Sequence, residues 1–464
     1  MKGYSEMDFK RRISDYIDSA REEMISDLRT LVRIPSVMGE AKENMPFGER
    51  TAEALNAALE ICEKSGFSVH NTDNYVGTAD FFPDKENYLG ILCHMDVVPE
   101  GNGWSVPPFE LTEKDGKLIG RGAIDDKGPA IAAIYAMKAI KSLGIPIKKN
   151  VRLIIGTNEE NGSADLEYYR KREELPTLLF TPDGSYPVIN IEKGMLRMSL
   201  TQKITDSRLE NLSAGIAVNA VPETAEAVIS GVGLQAAENA AERLSLPVKV
   251  SFLEENGRIK MSVLGKSAHA STPESGENAL AAALAVLSAL GITEARALAE
   301  LFPYGETDGL SCGIKCSDEI SGETTTVLSM AEVEDGSLIC RQDIRFPVCE
   351  SCGGIIARLT ETAGAKGIRV FADMKSEPHS VSAESEFVKT LLEVYEDVTG
   401  ERGYPVAIGG GTYVHDTENG VAFGAEFPDE DNNMHGADEF IKEENLLLNA
   451  KIYANAILRL CEKE

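Results

Sequence analysis

Two histidines far apart in this chain of 464 residues set its folding problem. His94 stands in HMDVV and His435 in NNMHGADEF, and the chain holds only six histidines in all. Between them fall Asp125-Asp126-Lys127-Gly128, Glu159-Glu160 and Asp183. Imidazoles and carboxylates are the donors that borderline-hard divalent cations prefer, and paired cations need one carboxylate able to bridge them. A fold that uses these groups together must carry the far end of the chain back to its first quarter.

The hydrophobic pattern supports such a return. Residues 7–33 carry apolar positions at helical spacing and stop before Pro35. A second helical stretch runs over 49–65 and ends at Gly66. Short apolar runs at 88–95, 151–157 and 177–181 predict buried strands. The helical stripe Ile131, Ile134, Met137 and Ile140 lies between the first two, with Pro129 at its start and Gly144 just past its end. Strands alternating with helices predict an α/β core with a mostly parallel sheet, whose sites form at the C-terminal ends of strands. From Met195 the texture changes to alternating segments such as VKVSFLEENGRIKMSVLG, joined by glycine-containing turns and interrupted by helices over 278–290 and 354–362. Near Ser382 the helical pattern resumes and closes in ENLLLNAKIYANAILRL. The expected organisation is a catalytic domain in two segments, 1–194 and 381–464, with an inserted α+β lid domain over 195–380.

Size and composition narrow the function. The length favours two domains over one. A formal charge of −29 repels nucleic acid, and no run approaches the ~18 apolar residues of a membrane helix. The N-terminus lacks the apolar stretch of a secretory signal, and eight thinly spread cysteines fit reduced thiols, so the expected location is cytoplasmic. Cys312-x3-Cys316 and Cys349-x2-Cys352 have the look of a zinc knuckle, but no histidine stands near them and apolar residues surround both.

Each acidic motif has an ordinary reading beside a functional one. His94 and Asp96, two apart on a strand, share a face, so the carboxylate can orient the imidazole; a satisfied core histidine would look the same. Asp125 or Asp126 could cap the following helix, or Asp125 could bridge two cations. Glu159 and Glu160 follow a strand, where neighbouring side chains diverge; one can hold metal while the other acts as general base, or both can sit in an acidic turn. Asp183, in TPDGS, is either a ligand or a turn residue.

Taken together, ILCHMDVVPEGNGWSVPPFE, GRGAIDDKGPAIAAIYAMKAIK, GTNEENGSAD, TPDGSYPV and FPDEDNNMHGADEF resemble the di-zinc aminoacylase/carboxypeptidase/dipeptidase family. GKSAHASTPESGENA and GGGTY resemble its peptidase V-like, carnosinase-like dipeptidase branch. The resemblance covers nearly the whole chain. It implies two zinc ions, with manganese or cobalt as alternatives. His94 and Asp183 would hold one, Glu160 and His435 the other, and Asp125 would bridge. It further implies Asp96 as the support of His94, Glu159 as catalytic base and a cis bond between Asp125 and Asp126. His269 would stabilise the oxyanion. Asn219 and Arg345 would position substrate, and the loop Gly409, Gly410, Gly411 and Thr412 would cup it. Read without the resemblance, Asn219 is a turn former, Arg345 a surface strand residue, and the glycine run a phosphate loop that lacks its lysine. His415 departs from the basic residue that relatives commonly carry after this loop, which bears on substrate preference. The implied activity is hydrolysis of dipeptides with a free N-terminus by a monomeric enzyme. The alternatives are a deacylase or desuccinylase of N-acyl amino acids and a non-catalytic metal- or peptide-binding protein.

Overall fold

A computed structural model describes residues 6–462. The chain divides into two compact units. One comprises residues up to 190 with 381–406 and those from 412 onward, and the other comprises 191–380 with 407–411.

The first unit is built on a sheet whose strands run in the order Ser68–Thr72, Val76–Asp80, Asn150–Gly156, Asn87–His94, Leu178–Thr181, Gly420–Ala422 and Val188–Glu192. The four strands from Asn150–Gly156 to Gly420–Ala422 are mutually parallel, and those flanking them are antiparallel. Burial on both faces explains the unbroken apolar runs: the last six residues of Asn87–His94 are all buried. Helix Lys127–Ser142 packs on this sheet and against the closing helix Glu443–Glu462. Pro129 sits in its first turn, where a missing N–H costs nothing, and Gly144 (φ 62°) follows its end.

The expected single helix over 7–33 is two, Glu6–Ser19 and Arg21–Val32, separated at Ala20. Both halves present buried apolar residues, so the stripe continues across the break and conceals it. The carbonyls at the end of the second helix meet an unexpected partner. Buried Lys127 donates from Nζ to Leu31 O at 3.0 Å and to Ile34 O at 2.8 Å. That lysine is therefore an anchor for a helix end rather than a counter-charge for the aspartates before it.

A small antiparallel sheet solves the folding problem posed by His94 and His435. Strand Phe440–Lys442 pairs with Lys117–Ile119, which pairs with Thr112–Lys114, and Phe440 lies opposite Ile119. Gly120 N donates to Glu439 O at 2.9 Å and extends the ladder towards the aspartates.

The second unit is an eight-stranded antiparallel sheet, with an order beginning at Lys249–Glu255 and ending at Arg369–Ser376. Helices Ala279–Ala289 and Cys352–Gly364 match the two expected; Leu234–Leu244 and Thr293–Leu301 were not foreseen. The fully buried positions of Leu234–Leu244 are alanines, Ala237 and Ala240. No helix of the described residues is long and apolar enough to cross a membrane.

Candidate metal centre

The parallel strands deliver the acidic and histidine motifs to one edge of the first unit. His94 is the last residue of its strand, Glu159 and Glu160 follow Gly156 by three and four residues, and Asp183 follows Thr181 by two. The two glutamates occupy a single 3-10 turn, Glu159–Asn161, rather than the strand end. Their backbone is held by Asp96, whose Oδ1 accepts from Glu159 N at 3.2 Å and Oδ2 from Glu160 N at 3.1 Å. Asp96 also serves His94: the ring Nδ1 lies 3.0 Å from its carbonyl and 3.4 Å from its carboxylate. The strand ends at His94, so this contact comes from the irregular segment after it and not from two strand positions sharing a face.

Two clusters of donors result. His94, Glu159 and Asp183 form one, and Asp125, Glu160 and His435 form the other, with the donor atoms of each within 4.8 Å of one another. Asp125 reaches both. Its Oδ1 is 2.9 Å from His94 Nε2, and its Oδ2 is 2.8 Å from His435 Nε2. Glu160 Oε2 is 3.4 Å from His435 Nε2, and Asp183 Oδ2 is 3.7 Å from His94 Nε2. His94 Nε2 and Glu160 Oε1 are buried without an aligned hydrogen bond. Such orphaned polar atoms are costly unless something else satisfies them, and a pair of divalent cations fits this set of ligand groups.

The electrostatics describe a site crowded with negative charge. Burial opposes protonation of His94, yet Asp125 and Asp96 outweigh it and raise its pKa. Hydrogen bonds to Asp125 and Glu160 raise His435 to about 10. Burial and then Asp125 push Asp183 up to about 7, while burial and Asp183 raise Glu159 well above the carboxylate range. Asp125 alone is lowered: burial works against its charge, but His435 and His94 prevail.

Asp126 occupies the N-cap position without capping; its Oδ2 accepts from His94 N at 3.0 Å. The peptide bond Asp125-Asp126 is cis. Two residues that sequence reasoning missed bind the ligand segments together. Buried Arg121 donates to Glu439 at 2.6 Å and to the carbonyl of His435 at 3.2 Å. Glu439 Oε1 accepts from Ile124 N at 3.1 Å and Asp125 N at 3.3 Å. Their positions in GRG and HGADEF, flanking two motifs already singled out, were the available signal. Tyr413 and Asp165 form a further buried pair at 2.6 Å; Asp165 also accepts from Thr157 N and Asn158 N, fixing the approach to Glu159. Gly156 has no room for a side chain here, since a Cβ would lie 1.7 Å from the Tyr413 hydroxyl.

Residues His269, Asn219, Arg345 and Gly409–Gly411 fall in the second unit, whereas Thr412 and His415 fall in the first. His269 is exposed, and its Nδ1 lies 2.7 Å from Ser271 Oγ. Burial and then Arg345 lower its pKa, which favours the neutral ring. Asn219 O accepts from Ala270 N at 2.9 Å, so the two candidate residues are backbone neighbours. Arg345 is not a surface residue. It is buried, paired through Nε and Nη2 with Asp343 (2.5 and 3.1 Å), and donates from Nη1 to Gly409 O at 3.0 Å. Gly410 faces open space, and Gly411 is exposed. Thr412 O accepts from His415 N at 2.9 Å, so these two residues form one turn, in which His415 is half-buried.

Residues 90–459 match the profile of peptidase family M20/M25/M40. "Putative dipeptidase YtjP" of Bacillus subtilis (strain 168) is 37% identical over 460 residues, covering 95% of this chain and 98% of that protein. The Beta-Ala-Xaa dipeptidase of Lactobacillus delbrueckii subsp. lactis is 34% identical over 462 residues, with 96% and 98% covered. Among solved structures, human carnosine dipeptidase 1 superposes with a TM-score of 0.60 at 17% identity, covering 98% of this chain and 99% of that one. At that identity the likeness concerns the fold.

Proposed function

This chain belongs to peptidase family M20/M25/M40 and is a metallopeptidase, and on that footing we propose that it hydrolyses the peptide bond of dipeptides with a free N-terminus. The carrying observation is Asp125, placed between His94 and His435 with one carboxylate oxygen towards each. The names of its relatives support the substrate class. We take the cations to be zinc, with manganese or cobalt accepted by the same donors. When bound, such a pair would supply Lewis acidity, lowering the pKa of water and polarising a carbonyl.

The protein's own groups then divide the work. His94 and Asp183 would hold one cation, Glu160 and His435 the other, and Asp125 would serve both. Glu159, in the same cluster as His94 and Asp183, takes the proton from the attacking water and passes it to the departing amine. Asp96 keeps Glu159 and Glu160 in place through their backbone N–H groups. Residues 195–380 are read as an inserted lid domain between catalytic segments 1–194 and 381–464. It contributes His269, whose ring N–H donates to the oxyanion. Asn219, Arg345, Gly410, Gly411, Thr412 and His415 position the substrate. Arg345 is already engaged by Asp343, so its part is to fix the loop at Gly409 and to add positive potential, with no free fork for a carboxylate. The reading includes a cytoplasmic monomer acting on small peptides.

The test is a panel of dipeptides, including β-Ala-His, each paired with its N-acetylated form, on protein refilled with zinc or manganese. Turnover of free dipeptides with rejection of blocked ones is expected. Preference for the acetylated members would make the enzyme a deacylase.

A further inference from the structure

The cysteine motifs that the metal centre leaves unused come together in an unexpected combination. Cys312 and Cys352 turn into the interior of the second unit, towards the carbonyls of Gly309 and Ser376. Cys316 and Cys349, one from each motif, meet at the surface with their Sγ atoms 3.2 Å apart. Of the eight cysteines, only these two are not buried. Among the described residues no third metal-ligating side chain completes a site with them.

Their approach is built by the backbone. The short hairpin of Ser317–Asp318 and Gly322–Glu323 places Cys316 at its foot, where Cys316 O accepts from Thr324 N at 2.8 Å. Asp318 receives Ile320 N and Ser321 N within that hairpin and Cys349 N from the other segment at 3.2 Å. Ser321 Oγ accepts from Val348 N at 3.0 Å. The two cysteine-bearing segments are thus hydrogen-bonded before any covalent link exists, and the thiols meet at high effective concentration.

We propose that Cys316 and Cys349 form an oxidative cross-link site, which takes a low-molecular-weight disulfide of the glutathione class as its reactant. One protein thiolate attacks a sulfur of the small disulfide and releases one small thiol. The second protein thiolate attacks the resulting mixed disulfide and releases the other. Two protein S–H bonds are lost, one protein S–S bond forms, and the reactant's S–S bond is reduced to two thiols. The hydrogen bond with Cys316, burial and Asp318 together raise the Cys349 thiol to about 12, so the reaction quickens with alkalinity. The link joins positions on either side of the hairpin Thr325–Glu334 and Ser337–Phe346, and so tethers the neck of the strand pair that carries Asp343 and Arg345.

The experiment uses the intact protein in glutathione disulfide at mildly alkaline pH, with thiol counting and peptide mapping under non-reducing conditions. The expected result is loss of both surface-reactive thiols, a Cys316–Cys349 cross-linked peptide pair, and a melting temperature higher by several degrees. Cys349→Ser should retain glutathione on Cys316 and gain no thermal shift. Stable glutathione adducts on both cysteines of the unsubstituted protein, no reaction at all, or a cross-link through another cysteine would each overturn the proposal.

Discussion

Arg121 and Glu439, 318 positions apart in the chain, meet at 2.6 Å with each side chain 1% exposed. Through them the backbone of Asp125 is tied to that of His435. Outer partners that orient metal ligands are worth about 10- to 100-fold in affinity. Glu439→Gln keeps an oxygen for the amides of Ile124 and Asp125 but discards the ion pair. It should weaken retention of one cation about 10- to 100-fold in competition with a chelator. The ion pair is visible to the chain's single tryptophan, since Trp104 lies 5.3 Å from the Arg121 guanidinium. Unchanged metal affinity would make the pair a structural tie only.

Glu159→Gln should reduce kcat by about two to four orders of magnitude, the range attributed to a positioned acid–base group. Its metal content should stay at the level of the unsubstituted protein, because Asp125, Glu160, His94, Asp183 and His435 remain. Near-full turnover in this variant would remove Glu159 from the mechanism.

Loading metal should release protons. Around neutrality the metal-free centre holds protons on His435, raised to about 10, and partly on Asp183, raised to about 7. A cation needs the neutral imidazole and the carboxylate, so it competes with those protons and its affinity rises with pH. Calorimetry in buffers of different ionisation enthalpy reads the release directly, and a buffer-independent heat would contradict it.

Lys127→Met tests the helix anchor. The carbonyls of Leu31 and Ile34 lose a common donor in a buried setting, and the expected loss is about 1–3 kcal/mol. A lower urea midpoint of the metal-free protein is the readout. Burial pushes this lysine down to about 7, so an unchanged or higher midpoint would mean that desolvation of the ammonium cancels both hydrogen bonds.

His269→Ala concerns the second unit. The side chain is exposed, so its removal should leave the melting temperature unchanged. Loss of an oxyanion donor should lower kcat roughly a hundredfold or more. Unaltered kinetics on a dipeptide would exclude that role.

The parts of the fold legible in the sequence were those written in periodicity. The buried strands, the helix with Pro129 in its first turn and the placement of His94 at a strand end, with the two glutamates and Asp183 just beyond theirs, all follow from apolar runs and turn residues. What escaped were interactions between side chain and backbone. Asp126 looked like a helix cap, yet it holds the amide of His94. Lys127 carried no sequence signal of its role, yet it binds the carbonyls at the end of a distant helix. Arg345 looked like a surface strand residue and is buried instead, paired with Asp343 two residues before it on the same strand. Hydrogen bonds of this kind depend on where the backbone has gone, and they leave no repeat in the residues that make them.

The direct pairing of Phe440–Lys442 with Lys117–Ile119 also governs when the molecule gains its chemistry. Until those late residues are made and paired, a growing polypeptide holds His94 and Asp125 but lacks His435 and its brace. A nascent chain that has not yet reached His435 therefore lacks one of the three donors of the second cluster.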